Sequence, residues 1–302
     1  AGGLSMVCIG LVPDYTTQAG RLAALGAGAK VVGEYSYELT ESEAAAIVSK
    51  RADIILLTGG TDGGDSRVII HNAKMLARRP GCASSIIAAG NCRAEPAIRD
   101  AFSGSDQRVY YAPNVMPTLG KLELAPVNEL IRSLFISGIV EAKGIARVNA
   151  LTAGVRMPTP SAVLEAAKLL SLGVPGRLGG HGEMLLVDVG GATTDVCSVA
   201  SGRPTRDGVE PVGLEEPYVK RTVEGDLGLY HNLDTLASLA DGEGLLSCAE
   251  AGRAQALLRA SLSVPTAESL RQQLLFSRLA VKAAVERHAG RLITDLTPHG
   301  LA

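Results

Sequence analysis

The chain has 302 residues, enough to bury a large core and to form about two domains. A formal net charge of −2 gives no broad basic field, and aromatics are 3% with no Trp, so nucleic acid is not an expected partner by charge or by base stacking. No apolar run approaches the ~20 residues of a membrane span and no signal-peptide pattern is present. Five scattered cysteines without a CxxC pair fit reduced thiols in a cytoplasmic protein.

Residues 1–112 read as alternating strands and helices. Met6–Leu11 is an apolar strand that stops at Pro13-Asp14, and an Ala/Leu-rich helix follows to about Gly26. A second strand starts at Lys30. Thr40-Glu-Ser-Glu43 is a capping box opening a helix through Val48. Ile54–Leu57 is a fully apolar strand ending in Thr58-Gly-Gly-Thr-Asp-Gly-Gly64, followed by a helix with apolar Val68, Ile69, Ala73 and Leu76. Ser85–Ala89 ends at Gly90-Asn91, a helix runs through Phe102, and Val109–Ala112 closes the series. Short apolar strands separated by helices predict parallel β-α units covered on both faces, a flavodoxin-like doubly wound domain. Ligands of such sheets sit at the carboxyl ends of the strands. Thr58–Gly64 and Gly90-Asn91 should therefore share one edge, as a binding crevice or simply as glycine turns from strand to helix.

Residues 113–182 read as a connecting, mostly helical part. Val127 to about Val140 carries an apolar stripe (Val127, Leu130, Ile131, Leu134, Ile139) suited to core packing or a subunit interface, which leaves a homodimer open. Ala150–Val155 is a short apolar segment. Pro158-Thr-Pro160 pre-organises a helix through about Leu172, and the glycine-rich Leu172–Gly182 reads as a domain linker.

Residues 183–302 open with Met184-Leu-Leu-Val-Asp-Val-Gly-Gly-Ala-Thr-Thr-Asp-Val-Cys-Ser-Val199. Met184–Val187 predicts a buried strand that brings Asp188 to its carboxyl end. Gly190 and Gly191 let the backbone turn and approach a ligand, and Val196–Val199 alternates back as a second strand. The tip offers backbone N–H groups, the Thr193 and Thr194 hydroxyls and the Asp188 and Asp195 carboxylates. That set suits a polyphosphate with its Mg2+, though a plain tight hairpin has the same glycines. Neither Rossmann spacing nor a Walker lysine is present. Lys220-Arg-Thr-Val-Glu-Gly-Asp-Leu-Gly228 places two acids, Glu224 and Asp226, around Gly225, either as a second contact to metal or nucleotide or as a salt-bridged turn. Leu233–Ala240 and Ala249–Ala260 are helical in pattern. Thr266–Leu292 predicts a long helix burying Leu270, Leu274, Leu279, Val281 and Val285. His288 and the other histidines stand isolated, with no zinc-type spacing.

Asp188–Val196, DVGGATTDV, resembles a phosphate loop of the actin, sugar kinase and heat-shock chaperone ATPase superfamily. LLTGGTDGGDS at 56–66, AAGN at 88–91, APNVMPTLG at 112–120, MPTPSAVLEAA at 157–167 and KRTVEGDLG at 220–228 resemble, in matching order, the MutL-type glutamate mutase accessory proteins. The resemblance implies an actin-like (ribonuclease H-like) ATPase lobe at 183–302, beside the flavodoxin-like domain at 1–112 and the connecting part at 113–182. It implies ATP and Mg2+ as cofactors. Gly190, Gly191, Ala192, Thr193 and Thr194 would hold phosphates, with Gly225 and Asp226 as further contacts. Asp188 would hold the metal, and Asp188, Asp195 and Glu224 would serve a weak ATPase. The implied partners are subunits of an adenosylcobalamin-dependent mutase whose damaged cobalamin is exchanged. A first phosphate loop of the DxGST type and a GTGG-like adenosine loop are not read within these residues, and both ends read as trimmed. A small-molecule kinase or phosphohydrolase on the same fold, with Glu224 or Asp226 as base, and a non-catalytic binding module remain alternatives.

Overall fold

A computed structural model of the chain describes residues 4–142, 157, 159–211, 214–260, 266–290, 292, 296–297 and 300–301. It divides into two units, one built mainly from 1–166 and the other mainly from 167–302, with 202–204 and 210–217 returning to the first. The expected segment Ala150–Val155 lies outside the described residues.

The first unit is organised around a five-stranded sheet in the order β2-β1-β3-β4-β5, all neighbours parallel. Its strands are β1 (Ser5–Gly10), β2 (Lys30–Ser36), β3 (Ala52–Leu57), β4 (Ala83–Ala88) and β5 (Val109–Tyr111). Side chains alternate across a strand, and here both faces are apolar. Met6, Cys8, Ile54, Leu56 and Ile87 pack against Ala19, Ala23 and Ala24 of α1 (Gln18–Gly26) and Val127 and Ile131 of α5 (Ala125–Ala142). Val7, Ile9, Ile55, Leu57 and Ile86 face the other way. They meet Ile47 of α2 (Glu41–Lys50), Ile69 and Leu76 of α3 (Arg67–Ala77), and Ile98 and Phe102 of α4 (Glu95–Phe102). Full burial on both faces is why these strands are continuous apolar runs.

Local signals set the helix ends. Thr40 accepts from the Glu43 amide at 3.3 Å while the Glu43 carboxylate accepts from the Thr40 amide at 2.8 Å, the expected capping box. Arg51 ends α2 in the left-handed region, at φ 47°. One local feature has no simple sequence signature: Pro13–Thr17 forms a single π-helical turn ahead of α1.

The loops Thr58–Gly64 and Gly90-Asn91 do share the carboxyl edge, and buried amides lock them together. Asn91 accepts from the Gly63 and Arg93 amides (3.1 and 3.0 Å) and donates to the Gly64 and Asp65 carbonyls (both 3.0 Å). Asp62 accepts from the Cys92 amide and the Asn114 side chain, both at 3.0 Å. Partial burial raises the Asp62 pKa, but these hydrogen bonds outweigh it and hold the carboxyl below its usual range. A pocket of about 350 Å³ opens beside this network, where Arg99 stacks 3.7 Å from the Tyr111 ring centre.

The second unit begins within α6 (Thr159–Leu172). Leu172–Gly182, the stretch expected as a linker, holds two short antiparallel strands, β6 (Gly173–Val174) and β7 (Leu178–Gly179). A three-stranded antiparallel sheet follows in the order β10-β9-β8: β8 (Met184–Val189), β9 (Thr194–Val199) and β10 (Val219–Glu224). Helices α7 (Leu233–Gly242), α8 (Cys248–Ala260) and α9 (Ala267–Ala289) build its core, with Val196, Leu227, Leu233, Leu236, Phe276 and Leu279 buried together. A last strand pair, β11 (Leu296–Thr297) with β12 (Gly300–Leu301), is antiparallel.

Two expectations change in this unit. β8 was expected to be buried, yet it is the sheet's edge strand among the described residues, with Leu185 49% exposed. On α9, Leu279 is buried as expected and Val285 packs against the core, but Leu270 and Leu274 are exposed, and Phe276, Ala280, Ala284 and His288 make up the rest of the buried stripe. The alanines in that stripe have short side chains, which allows the helix to sit close to the sheet.

Candidate functional site

The site is built on the connection between β8 and β9. The register pairs Val189 with Thr194, Asp188 with Asp195 and Leu186 with Cys197. Directly opposed residues share a face, so Asp188 and Asp195 project from the same side of the sheet. Arg221 of β10 lies opposite Cys197 on that side. Two like charges directly opposite one another are destabilising, and the structure resolves this unequally. Asp195 is 9% exposed and paired with the buried Arg221 guanidinium, and it also accepts from the Thr193 hydroxyl at 3.2 Å. Asp188 is exposed and has no hydrogen bond or ion pair among the described residues. Beside this pair the Cys197 thiol is pushed up to about 11, chiefly by burial.

The other face of the sheet turns towards α9. Thr194 is fully buried, and its hydroxyl donates to the Leu227 carbonyl at 2.6 Å. The expected role of Thr194 as a phosphate contact through its hydroxyl therefore does not fit: strand alternation points it into the core. His288 lies on the same face, with its ring nitrogens 2.8 Å from the Thr222 hydroxyl and 2.9 Å from the Ser198 hydroxyl. Lys220 donates to the His288 carbonyl at 2.8 Å. Burial, and then the Lys220 charge, lower the His288 pKa to about 4.

The tip itself rests on the segment after β10. The amides of Leu229, Tyr230 and His231 donate to the carbonyls of Gly190, Gly191 and Gly191, at 3.0, 2.8 and 3.0 Å. Asn232 donates from one amide group to the Ala192 and Gly225 carbonyls, at 2.7 and 2.9 Å. The two tip glycines were expected to permit a tight turn and a ligand's approach. Neither adopts a left-handed φ. Their missing side chains let the turn close and pack: a Cβ on Gly190 would lie 2.9 Å from the Thr193 carbonyl oxygen, which accepts from the Gly190 amide, and one on Gly191 would lie 2.6 Å from the Tyr230 ring. The amides of Gly191, Ala192 and Thr193 are in no hydrogen bond among the described residues.

Glu224 and Asp226 are brought together by a residue that sequence spacing does not reveal. Arg287 of α9 donates to Glu224 at 2.7 Å and to both Asp226 oxygens at 2.7 and 3.1 Å. These pairs hold the guanidinium pKa above its ordinary value despite partial burial. The arrangement is the salt-bridged turn, with Gly225 contributing its carbonyl to Asn232. Chemically, then, the tip offers three amides and one carboxylate, Asp188, with no partner among the described residues, beside the Thr193 hydroxyl.

A sequence model of the family described as MutL protein matches residues 1–302. The chain belongs to the MutL protein family. A relative named Protein MutL, from Clostridium tetanomorphum, is 42% identical over 308 residues, covering 100% of this chain. The chain spans 66% of that relative's length, just under two thirds. No solved structure matches the chain.

Proposed function

We propose that this protein is an ATP-dependent accessory protein that restores an adenosylcobalamin-dependent mutase of the glutamate mutase type by exchanging its damaged cobalamin. The observation that carries this reading is the hairpin tip, where three amides, and Asp188 at the end of β8, have no hydrogen-bond or ion-pair partner among the described residues. Successive free N–H groups form an anion-binding concavity. A single carboxylate suits Mg2+, which keeps most of its waters and shares its remaining contacts with substrate phosphates. The donor set therefore fits Mg·ATP, and Gly191, Ala192, Thr193 and Asp188 are the residues that would hold it.

Bound Mg·ATP supplies a transferable phosphoryl group, and positioning and electrostatics account for most of its catalysis. The chain's part is to fix three donors against phosphate oxygens and to present the Asp188 carboxylate toward the metal or an attacking water. Asp195 acts differently: paired with Arg221, it neutralises the charge behind the tip and orients Thr193. Such a site gives slow hydrolysis, suited to driving a conformational cycle in an accessory protein. The small-molecule kinase alternative is weakened by Arg287, which ties down both acids that would serve as the base.

The strand order β2-β1-β3-β4-β5 supports a flavodoxin-like reading of the first unit, because that order defines one of the two common doubly wound sheets. The β10-β9-β8 sheet backed by α9 supports the actin-like, ribonuclease H-like reading of the second. Membership of the MutL protein family supports association with a mutase system as the partner. No helix among the described residues is long and apolar enough to cross a membrane.

The test is recovery of activity. A glutamate mutase-type enzyme inactivated by damaged cobalamin is incubated with the full-length protein, free adenosylcobalamin and Mg·ATP. Recovery that requires hydrolysable ATP is expected. No recovery beyond the protein-free control contradicts the proposal.

A further inference from the structure

We propose that Asn232 is the positioning residue of the hairpin tip, the side chain that fixes the last of its three amides toward a bound phosphate. This rests on the reading of the tip as a phosphate loop. In a trans peptide the carbonyl of one residue and the amide of the next lie on opposite sides of one rigid unit. Pinning a carbonyl therefore aims the following N–H the other way.

All three peptide units of the tip are pinned by their carbonyls. The Leu229 amide holds the Gly190 carbonyl at 3.0 Å, and the Tyr230 and His231 amides hold that of Gly191 at 2.8 and 3.0 Å. Their planes turn the Gly191 and Ala192 amides away from the buttress. The third unit, Ala192–Thr193, has no backbone donor. Its carbonyl is held only by Asn232, at 2.7 Å, among the described residues. The second proton of the same amide group goes to the Gly225 carbonyl at 2.9 Å, so the clamp is anchored on the turn that closes β10. Gly228 allows the approach, because a Cβ there would lie 2.3 Å from the Ala192 carbonyl carbon. Asn232 lies 40 residues beyond the tip. It would touch neither phosphate nor metal, so its effect reaches the ligand through the Thr193 amide.

The substitution Asn232→Ala releases one plane of three. A hydrogen bond to a charged group is worth enough that losing one weakens binding roughly tenfold or more. Asn232→Asp is the sharper probe. An ionised carboxylate cannot donate and would face two carbonyl oxygens, whereas the protonated acid restores one donor.

The experiment is calorimetric titration of Mg·ATP into full-length wild type, Asn232→Ala and Asn232→Asp, at a series of pH values from 8 to 5.5, with thermal melts confirming folding. The expected result is binding at least about tenfold weaker in both variants at pH 8. The ratio of wild-type to Asn232→Asp affinity should shrink as pH falls, while the ratio to Asn232→Ala stays level. If Asn232→Ala does not fold, the pH-dependent recovery of Asn232→Asp carries the test. Wild-type binding matched by both variants at every pH overturns the clamp and leaves the phosphate loop standing. No binding by wild type overturns the phosphate loop and the clamp with it.

Discussion

Arg287 and Asp226 meet in a two-pronged ion pair, Nη1 to Oδ1 at 2.7 Å and Nη2 to Oδ2 at 3.1 Å, across 61 residues of chain. Glu224 shares the same guanidinium at 2.7 Å. Two acids that sequence places beside a glycine, in the manner of a metal turn, are thereby neutralised from the far end of the last long helix. Arg287 ties α9 to the end of β10, next to the segment that buttresses the hairpin tip.

Removing that tie should cost stability while leaving the phosphate donors in place. The side chains are partly exposed, 40% for Arg287 and 47% for Asp226, so solvent screening keeps the effect modest. Arg287→Ala is expected to lower unfolding free energy by about 1 kcal/mol. Urea denaturation at low and high salt would check it, with a smaller difference at high salt.

Gly228→Ala should do more damage. The added Cβ meets backbone atoms of Ala192 at 2.3 to 2.5 Å, which no side-chain rotation relieves. Overpacking of this kind costs about 1–3 kcal/mol. The same displacement should weaken Mg·ATP binding, so thermal melts and nucleotide titration should shift together.

His288 should give the second unit an acid-sensitive limb. Its pKa is lowered to about 4 in the fold, first by burial and then by the Lys220 charge, against about 6.5 in an unfolded chain. Between these values the unfolded state binds the extra proton. Stability is therefore complete above about pH 6.5 and declines as pH falls toward 4, with a slope of up to about 1.4 kcal/mol per pH unit. In His288→Gln this slope should disappear from the urea midpoints, whatever the variant's stability at neutral pH.

In the first unit Asn91 should behave as a structural keystone. It is 1% exposed, and its side chain satisfies two amides and two carbonyls of the glycine-rich edge. Asn91→Ala leaves these groups short of partners, and each unsatisfied buried group costs about 1–3 kcal/mol. Water entering the loop would soften the sum, so a loss of about 3 kcal/mol in chemical denaturation is the expected outcome.

How far the sequence was legible follows from the range of the signals. Met6–Gly10 and Ile54–Leu57 announce themselves because a strand buried on both faces must be apolar throughout, and the Thr40–Glu43 box because capping is local. The hairpin was legible because its turn signal, Gly190-Gly191 between two apolar runs, is local. What escaped was set by distant partners. Nothing near Glu224 hints at Arg287, and nothing near Ala192 hints at Asn232. Thr193 and Thr194 look equivalent in a row of letters, but strand alternation turns the second hydroxyl into the core. On α9 the expected Leu279 is buried, but Ala280 and Ala284 beside it escaped because alanines carry little weight in an apolar pattern, and Leu270 and Leu274 are exposed.

The central claim is that the tip binds phosphate with Asp188 serving the metal, and calorimetry of Mg·ATP binding to the full-length protein and to Asp188→Ala tests it most directly. The account predicts binding by the wild type that falls at least about tenfold in Asp188→Ala, with melting no lower than wild type because Asp188 has no hydrogen bond or ion pair to lose among the described residues and faces the like charge of Asp195. Equal binding by the two proteins, or none by the wild type, would contradict it.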